Sequence, residues 1–125
     1  MRSTRSSRRF TYMGYGGTPH YVYALRDIVV TIMIEKPGTV DNLEEVLEVP
    51  GVDMVQRGGS DYSMGIGKAG EWRSPGLKVI ERQVLETALK MGVPPRAEIN
   101  SADEAKYFLD MGVRHFCIRT DIIIL

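Results

Sequence analysis

The sequence IVVTIMIE at residues 28–35 is followed by VDMVQRGGSD at residues 52–61, and these two stretches decide the fold. Each starts as an apolar, β-branched run typical of a buried strand, and each leads to an acidic residue beside a glycine-containing turn. In parallel α/β folds, functional groups collect where strands end and loops begin. Carboxylates at the ends of two neighbouring strands have the chemistry to hold one hard divalent cation through oxygen. Glu35 and Asp61 are therefore the first candidates for a functional pair.

The rest of the chain alternates strand and helix patterns with short connections. We expect strands at 28–34, 52–56, 96–99 and 116–118. The first helix should begin at Thr39 as its cap, the second at Ser74-Pro75 after a long glycine-rich loop at 58–73, and the third at a capping box that starts at Ser101. Apolar residues at helical spacing are expected to face the core; they are Val40, Leu43, Val46, Leu47, Leu77, Ile80, Val84, Ala88, Met91, Ala105, Phe108 and Leu109.

Four successive βα units predict an α/β fold of a particular kind. A closed (β/α)8 barrel needs about 200 residues or more, and this chain has 125. Four parallel βα units, with the last helix missing, make either half of such a barrel or a small open sheet. Because half a barrel leaves two open sheet edges, either a second copy of the chain or a partner chain covers them, or the polypeptide is part of something larger.

Composition excludes several classes of function. Lysine plus arginine and aspartate plus glutamate number 16 each, so the net charge of zero gives no reason to expect a nucleic acid or a membrane as partner. No apolar run reaches transmembrane length. Cys117 is the single cysteine, which excludes an internal disulfide and a cysteine-rich zinc site and favours a cytoplasmic location. Residues 1–26 are polar and glycine-rich and are expected to form a partly flexible segment before a domain at 27–125.

From Asp27 to Leu125 the chain resembles the HpcH/HpaI aldolase family, the metal-dependent pyruvate aldolases built on a (β/α)8 barrel. The matched stretches occur in the family's order and correspond to the C-terminal half of its barrel, so the resemblance implies an α/β fold that is a partial (half) (β/α)8 barrel, lacking the N-terminal half and the last helix. They are IMIE at 32–35, VPGVDMV at 49–55, GGSDYSMG at 58–65 and HFCIRTD at 115–121.

The resemblance implies an activity and a site. It implies carbon–carbon bond cleavage of 4-hydroxy-2-oxo acids, giving pyruvate and an aldehyde. Glu35 and Asp61 would bind a divalent metal (Mg, Mn or Co), and the metal would chelate the carboxylate and keto oxygens of a small 2-oxo acid. The loop from Gly58 to Asp61 would hold the substrate carboxylate through the backbone N–H groups of Gly59, Ser60 and Asp61, as anion-binding nests do.

The chain also departs from the family pattern. Gly59 stands where the family usually has proline, and Arg119 where it usually has glycine. The family's substrate-binding arginine and acid/base histidine lie in its N-terminal half and have no counterpart here; His20 and His115 do not match them. No catalytic acid or base is therefore assigned. The alternatives are a catalytically incomplete half-barrel that binds metal or a partner chain, and an enzyme like the citrate lyase β subunit or malyl-CoA lyase.

Each candidate residue also has a purely structural interpretation. Glu35 can be a solvated or helix-capping carboxylate, and Asp61 can stabilise a turn through its own downstream backbone. The glycines of the loop can simply permit positive φ. For Arg57 we weigh a surface charge against a residue at the mouth of the site, and we favour the surface. Trp72 and Tyr62 are expected to be partly buried in packing.

Overall fold

The computed structural model describes residues 18–118 and shows a parallel α/β fold of four βα units. Arg119 and residues 1–17 of the N-terminal segment predicted at 1–26 lie outside the described residues. The elements, in chain order, are α1 Pro19–Arg26, β1 Thr31–Ile34, α2 Pro37–Asp41, α3 Leu43–Leu47, β2 Met54–Arg57, α4 Gly59–Gly65, α5 Pro75–Lys90, β3 Pro95–Ile99, a 3-10 turn Ala102–Glu104, α6 Ala105–Met111 and β4 His115–Ile118.

The four strands form one sheet in the order β1-β2-β3-β4, and every neighbouring pair is parallel. This sequential order, with a helical crossover between strands, is the arrangement of successive units in a (β/α)8 barrel. The fold expected from the sequence is thereby confirmed. No helix within residues 18–118 is long and apolar enough to cross a membrane.

The helices cover one face of the sheet and bury two adjoining apolar clusters. The larger cluster joins β1 and β2 to the helices that follow them and to α5, and the smaller joins β3 to α5 and α6. Of the predicted core positions, Val46, Ile80, Met91 and Ala105 are partly buried, and the prediction for Leu109 is wrong, since it is 42% exposed. The buried members are Ile34, Val40, Leu43, Leu47, Val55, Tyr62, Leu77, Val84 and Ala88 in the larger cluster, and Leu85, Ala97, Ile99, Phe108 and Val113 in the smaller.

The other face of the sheet carries polar side chains across two strands. Gln56 is buried, its amide donates to Glu98, and it accepts from the guanidinium of Arg96. Arg96 pairs with Gln56 in the register of β2 and β3, so the three side chains form one hydrogen-bonded row. This polar row distinguishes the open face from the apolar, helix-covered face.

Asp53 fixes the register of β1 and β2 at the end of the sheet where both strands begin. Its carboxylate accepts from the Val30 N–H at 2.8 Å, while its own N–H and that of Met54 donate to the Val30 carbonyl at 3.0 and 3.1 Å. In-register pairing then runs from Thr31 with Met54 to Ile34 with Arg57. The two strands therefore end level with each other.

Several predicted boundaries were wrong for local reasons. The first strand starts at Thr31 rather than at 28. The helix predicted after the first strand, α2, begins at Pro37 and not at a Thr39 cap, because proline at the first helical position is already set to a helical φ. Part of the predicted 58–73 loop is the helix α4. Ser74 and Ser101 do precede helical turns, but neither side chain makes a capping hydrogen bond.

Candidate functional site

Glu35 directly follows β1, and its side chain lies against the start of the loop that follows β2. A Cβ added to Gly58 would lie 3.0 Å from the Glu35 Cβ and 3.2 Å from its Oε2. The Gly58 N–H donates to the Ile34 carbonyl at 3.0 Å, which continues the strand pairing one residue beyond the sheet. The half-buried Glu35 carboxylate therefore occupies the space that a side chain at 58 would fill.

Asp61 lies in the first turn of α4, one residue after the exposed Ser60. The helix begins at Gly59, where the Gly58 carbonyl accepts from the Tyr62 N–H at 3.0 Å. The N–H groups of the first turn of any helix have no partner within that helix, so those of Gly59, Ser60 and Asp61 are available to an acceptor outside it. Asp61 is exposed, and its carboxylate is free to approach a ligand.

The structure thus places the predicted site residues at one end of the sheet. Glu35 and Gly58 are in contact, and Gly59, Ser60 and Asp61 follow within one helical turn. The positive-φ interpretation of Gly58 and Gly59 is wrong, since φ at Gly58 is −84° and Gly59 is helical. Gly58 is needed for space, because Glu35 lies where its Cβ would be.

The carboxylates of Glu35 and Asp61 suit a hard divalent cation that water and substrate bind as well. Within residues 18–118 there is no group of three His, Cys, Asp or Glu side chains able to enclose a metal ion. Glu35 and Asp61 supply two oxygen donors, and Mg²⁺ is commonly bound through one or two carboxylates with water and substrate completing the shell. A softer metal that needs a complete set of protein ligands does not fit this pair.

Arg57 is buried rather than on the surface, contrary to the prediction. Its side chain is 5% exposed, its Nε and Nη2 have no hydrogen-bond partner, and its guanidinium carbon lies 5.3 Å from the centroid of the Tyr62 ring. Burial lowers its pKa, and the charge of Glu81 opposes that shift. The sequence held a signal for this burial. Arg57 and Val55 are two residues apart in one strand, so their side chains lie on the same face of the sheet, and Val55 is a core residue.

The remaining candidate residues pack within the fold or lie away from the strand ends that carry Glu35 and Gly58. Tyr62 is buried in the larger apolar cluster, and Trp72 is half-buried, which agrees with the packing role expected for both. His115 is the first residue of β4 and so lies at the opposite end of its strand from the strand ends that carry Glu35 and Gly58. Cys117 is half-buried.

Comparison with known proteins identifies the family to which this fold belongs. The family model described as HpcH/HpaI aldolase/citrate lyase matches residues 2–116. The chain belongs to the HpcH/HpaI aldolase/citrate lyase family. Its four parallel βα units are accordingly part of that family's barrel-like fold.

Relatives of this HpcH/HpaI chain are aldolases and related enzymes. A 4-hydroxy-2-oxo-heptane-1,7-dioate aldolase of Escherichia coli is 29% identical over 108 residues, which are 86% of this chain and 41% of the relative. Among solved structures, a family member from Burkholderia cenocepacia J2315 aligns with a TM-score of 0.72 at 23% identity, over 82% of this chain and 40% of that one. The citrate synthase SbnG aligns with a TM-score of 0.75 at 22% identity, over 83% of this chain and 42% of that one. The chain spans about 41% of the length of the curated relatives it matches.

Proposed function

We propose that this chain carries the metal- and carboxylate-binding part of a carbon–carbon lyase, a class II aldolase that cleaves 4-hydroxy-2-oxo acids to pyruvate and an aldehyde. Glu35 and Asp61 are the proposed metal ligands, and the segment Gly58–Asp61 is the proposed site for the substrate carboxylate. One observation carries the proposal: the Glu35 carboxylate packs against Gly58 across two level parallel strands, with Asp61 one helical turn further on.

The proposed ligands suit the chemistry of such a cleavage. Breaking the bond leaves negative charge on the keto oxygen of what becomes pyruvate, and a divalent metal bound there supplies Lewis-acid stabilisation of that charge. Glu35 and Asp61 leave the other positions of a hard cation to water and substrate. A 2-oxo acid offers two oxygens that suit those positions.

The backbone at the start of α4 is suited to orient the substrate. The N–H groups of its first turn point out of the helix, where a carboxylate accepts hydrogen bonds from them. Gly59 is buried and Ser60 is exposed, so the turn has one side in the protein and one in solvent. A substrate carboxylate held on the solvent side would be fixed beside the proposed metal ligands.

The acid/base group and a substrate-binding arginine are not assigned within this chain. We propose that another segment or another copy of the chain supplies them across the open face of the sheet. In this proposal the partner covers the polar row of Arg96, Gln56 and Glu98. The substrate is a small 2-oxo acid, and neither nucleic acid nor membrane takes part.

Metal binding tests the proposal directly. Calorimetry of Mn²⁺ binding to the 125-residue chain, with and without oxalate as a mimic of the pyruvate enolate, is expected to show one site that tightens when oxalate is present. Glu35→Gln and Asp61→Asn should each weaken Mn²⁺ binding at least about tenfold and abolish the oxalate effect, because each removes one charged oxygen ligand. Glu45→Gln, which neutralises an exposed carboxylate on α3, is the matched control and should bind as the wild type does.

A second candidate is cleavage of an acyl-CoA substrate, as in malyl-CoA lyase or the citrate lyase β subunit. The matched family includes citrate lyases as well as aldolases. Assays with a 4-hydroxy-2-oxo acid and with malyl-CoA separate the two, run on the chain with any partner it requires. Turnover of the CoA ester alone would replace the aldolase proposal, while metal binding indifferent to both Glu35→Gln and Asp61→Asn would contradict both.

A further inference from the structure

Arg57 is a buried cation that no hydrogen bond or ion pair neutralises within residues 18–118. Two of its three guanidinium nitrogens, Nε and Nη2, are enclosed without a partner. Glu81 is the acidic group that acts on it most strongly, but the Glu81 carboxylate is bonded to Lys78 at 2.6 Å. Because an arginine side chain stays protonated in proteins, the buried positive charge is permanent.

The guanidinium lies directly behind the proposed carboxylate-binding loop. A Cβ added to Gly59 would lie 3.0 Å from the Arg57 Nη1, and one added to Gly58 would lie 3.2 Å from the Glu35 Oε2. The backbone of these two consecutive glycines therefore separates the Arg57 cation from the Glu35 carboxylate. The two charges flank the loop from different sides and form no ion pair.

A buried unpaired charge at this position acts on whatever binds to the loop. In the protein interior a charge is weakly screened, and at an effective dielectric near 20 a unit charge about 10 Å away changes the affinity of a monovalent ion by about tenfold. The sign is fixed by chemistry: the Arg57 charge favours an anion held by the loop and disfavours a cation held beside it.

We propose that Arg57 sets the ligand preference of this site, strengthening the binding of a substrate carboxylate at the loop while weakening the binding of the divalent metal alone. The inference rests on the proposed function, since it concerns the same metal and carboxylate. It goes further by naming a residue that contacts neither ligand and by fixing the direction of its effect on each. Arg57 acts through its field and not as a catalytic residue.

A merely structural role for Arg57 makes a different prediction. Its guanidinium packs on the ring of Tyr62 in α4, so it also supports the loop mechanically. If support were its only role, removing it would loosen the loop and weaken metal and carboxylate together. The electrostatic role requires opposite changes.

The test measures the two affinities separately in Arg57→Met, Arg57→Lys and the wild type. Arg57→Met removes the charge and keeps much of the volume; an apolar residue of similar size in place of a poorly paired buried charge is usually tolerated. We expect Arg57→Met to bind oxalate at least about tenfold more weakly and Mn²⁺ alone at least about tenfold more tightly. Arg57→Lys, which keeps the charge, should resemble the wild type in both. Arg82→Met removes an exposed arginine on α5 and is the control.

The outcomes separate this inference from the proposed function. Suppose that Mn²⁺ binding depends on Glu35 and Asp61. If Arg57→Met then lowers the affinities for Mn²⁺ and oxalate together, or changes neither, the proposed role of Arg57 is overturned and the metal site stands. If neither the wild type nor any variant binds Mn²⁺, the proposed function is overturned. Titration with oxalate without metal then tests the role of Arg57 alone. Weaker oxalate binding by Arg57→Met supports that role, and unchanged oxalate binding overturns it. Arg57→Gln gives the same readout of charge removal if Arg57→Met does not fold.

Discussion

Gly58 shows how one residue can shape a site through the side chain it lacks. Its φ of −84° is open to every residue type, so no conformational need selects glycine there. The requirement is steric, because the Glu35 carboxylate and the terminal methyl of Met33 both lie within 3.2 Å of where its Cβ would be. The position of Glu35 therefore depends on the absence of a side chain at 58.

Gly58→Ala is expected to displace Glu35 and weaken Mn²⁺ binding by about tenfold, because a methyl group would take up the space beside Oε2. Calorimetry gives the affinity, and thermal unfolding shows whether the fold survives. Gly38→Ala on α2 is the matched control, since nothing lies within 4 Å of its added Cβ. Equal Mn²⁺ affinities in the two variants would show that Gly58 does not position Glu35.

The positions of single residues could be predicted from the sequence where a local pattern determines them. They could not be predicted where a contact between residues distant in sequence determines them. Glu35 was placed correctly because an apolar run ends beside it. The burial of Arg57 was missed because charged side chains are usually exposed, and this outweighed its position on the same face of the strand as the core residue Val55. The contact of Gly58 with Glu35 joins residues 23 positions apart, and no local pattern encodes it.

Among the elements, the turn after β3 is held by a carboxylate. The Glu104 Oε2 accepts from the Asn100 N–H at 3.1 Å, and this hydrogen bond, with the charge of Arg73, lowers the pKa of Glu104 below its usual value. The ionised carboxylate therefore stabilises the fold above about pH 4.3, the usual value, and this contribution is lost as the pH falls through the lowered folded value.

Glu104→Gln should remove that part of the acid destabilisation. Urea midpoints between pH 3 and pH 6 are expected to fall less steeply towards low pH in Glu104→Gln than in the wild type. Asp103→Asn, an exposed neighbour in the same turn, is the control and should retain the slope of the wild type. Parallel curves for Glu104→Gln and the wild type would show that the hydrogen bond to Asn100 contributes nothing to stability.

Element boundaries show the same division between local and long-range information. The helix α5 was readable because it combines Pro75 at its start with a regular apolar face. The helix α4 was missed because it begins and ends in glycine, the poorest ordinary helix former after proline, and is stabilised by its position between β2 and the core. The capping box at Ser101 failed because Glu104 reaches Asn100 rather than the serine.

At the scale of the whole molecule, two sheet edges and an apolar segment are open within residues 18–118. The edges are β1 and β4, and the residues just before β1 are apolar and exposed, with Val29 at 58%. Unpaired strand edges beside apolar surface favour association with another chain. That a second copy or a partner covers the sheet stays a prediction.

We therefore expect the purified chain to sediment as a species larger than its 14.0 kDa monomer. Val29→Glu should shift it towards the monomer, because it places a charge beside the edge strand. Val79→Glu changes an even more exposed valine, 67% accessible on α5, and should leave the association state unchanged. A wild-type monomer at every concentration, or the same shift in both variants, would contradict association through this edge.

The Asp53 contacts with Val30 have a consequence for the order of events during folding. They join residues 23 positions apart and align the one βαβ unit that carries Glu35, Gly58 and Asp61. Short loops close faster than long ones, so this unit is expected to form before β3 pairs with β2, because that pairing joins Val55 to Pro95, 40 positions apart. Pulsed hydrogen exchange would detect early protection of the Gly58 amide if this is correct. On a ribosome, the proposed ligand-binding residues would then be assembled while the second half of the chain was still being synthesised.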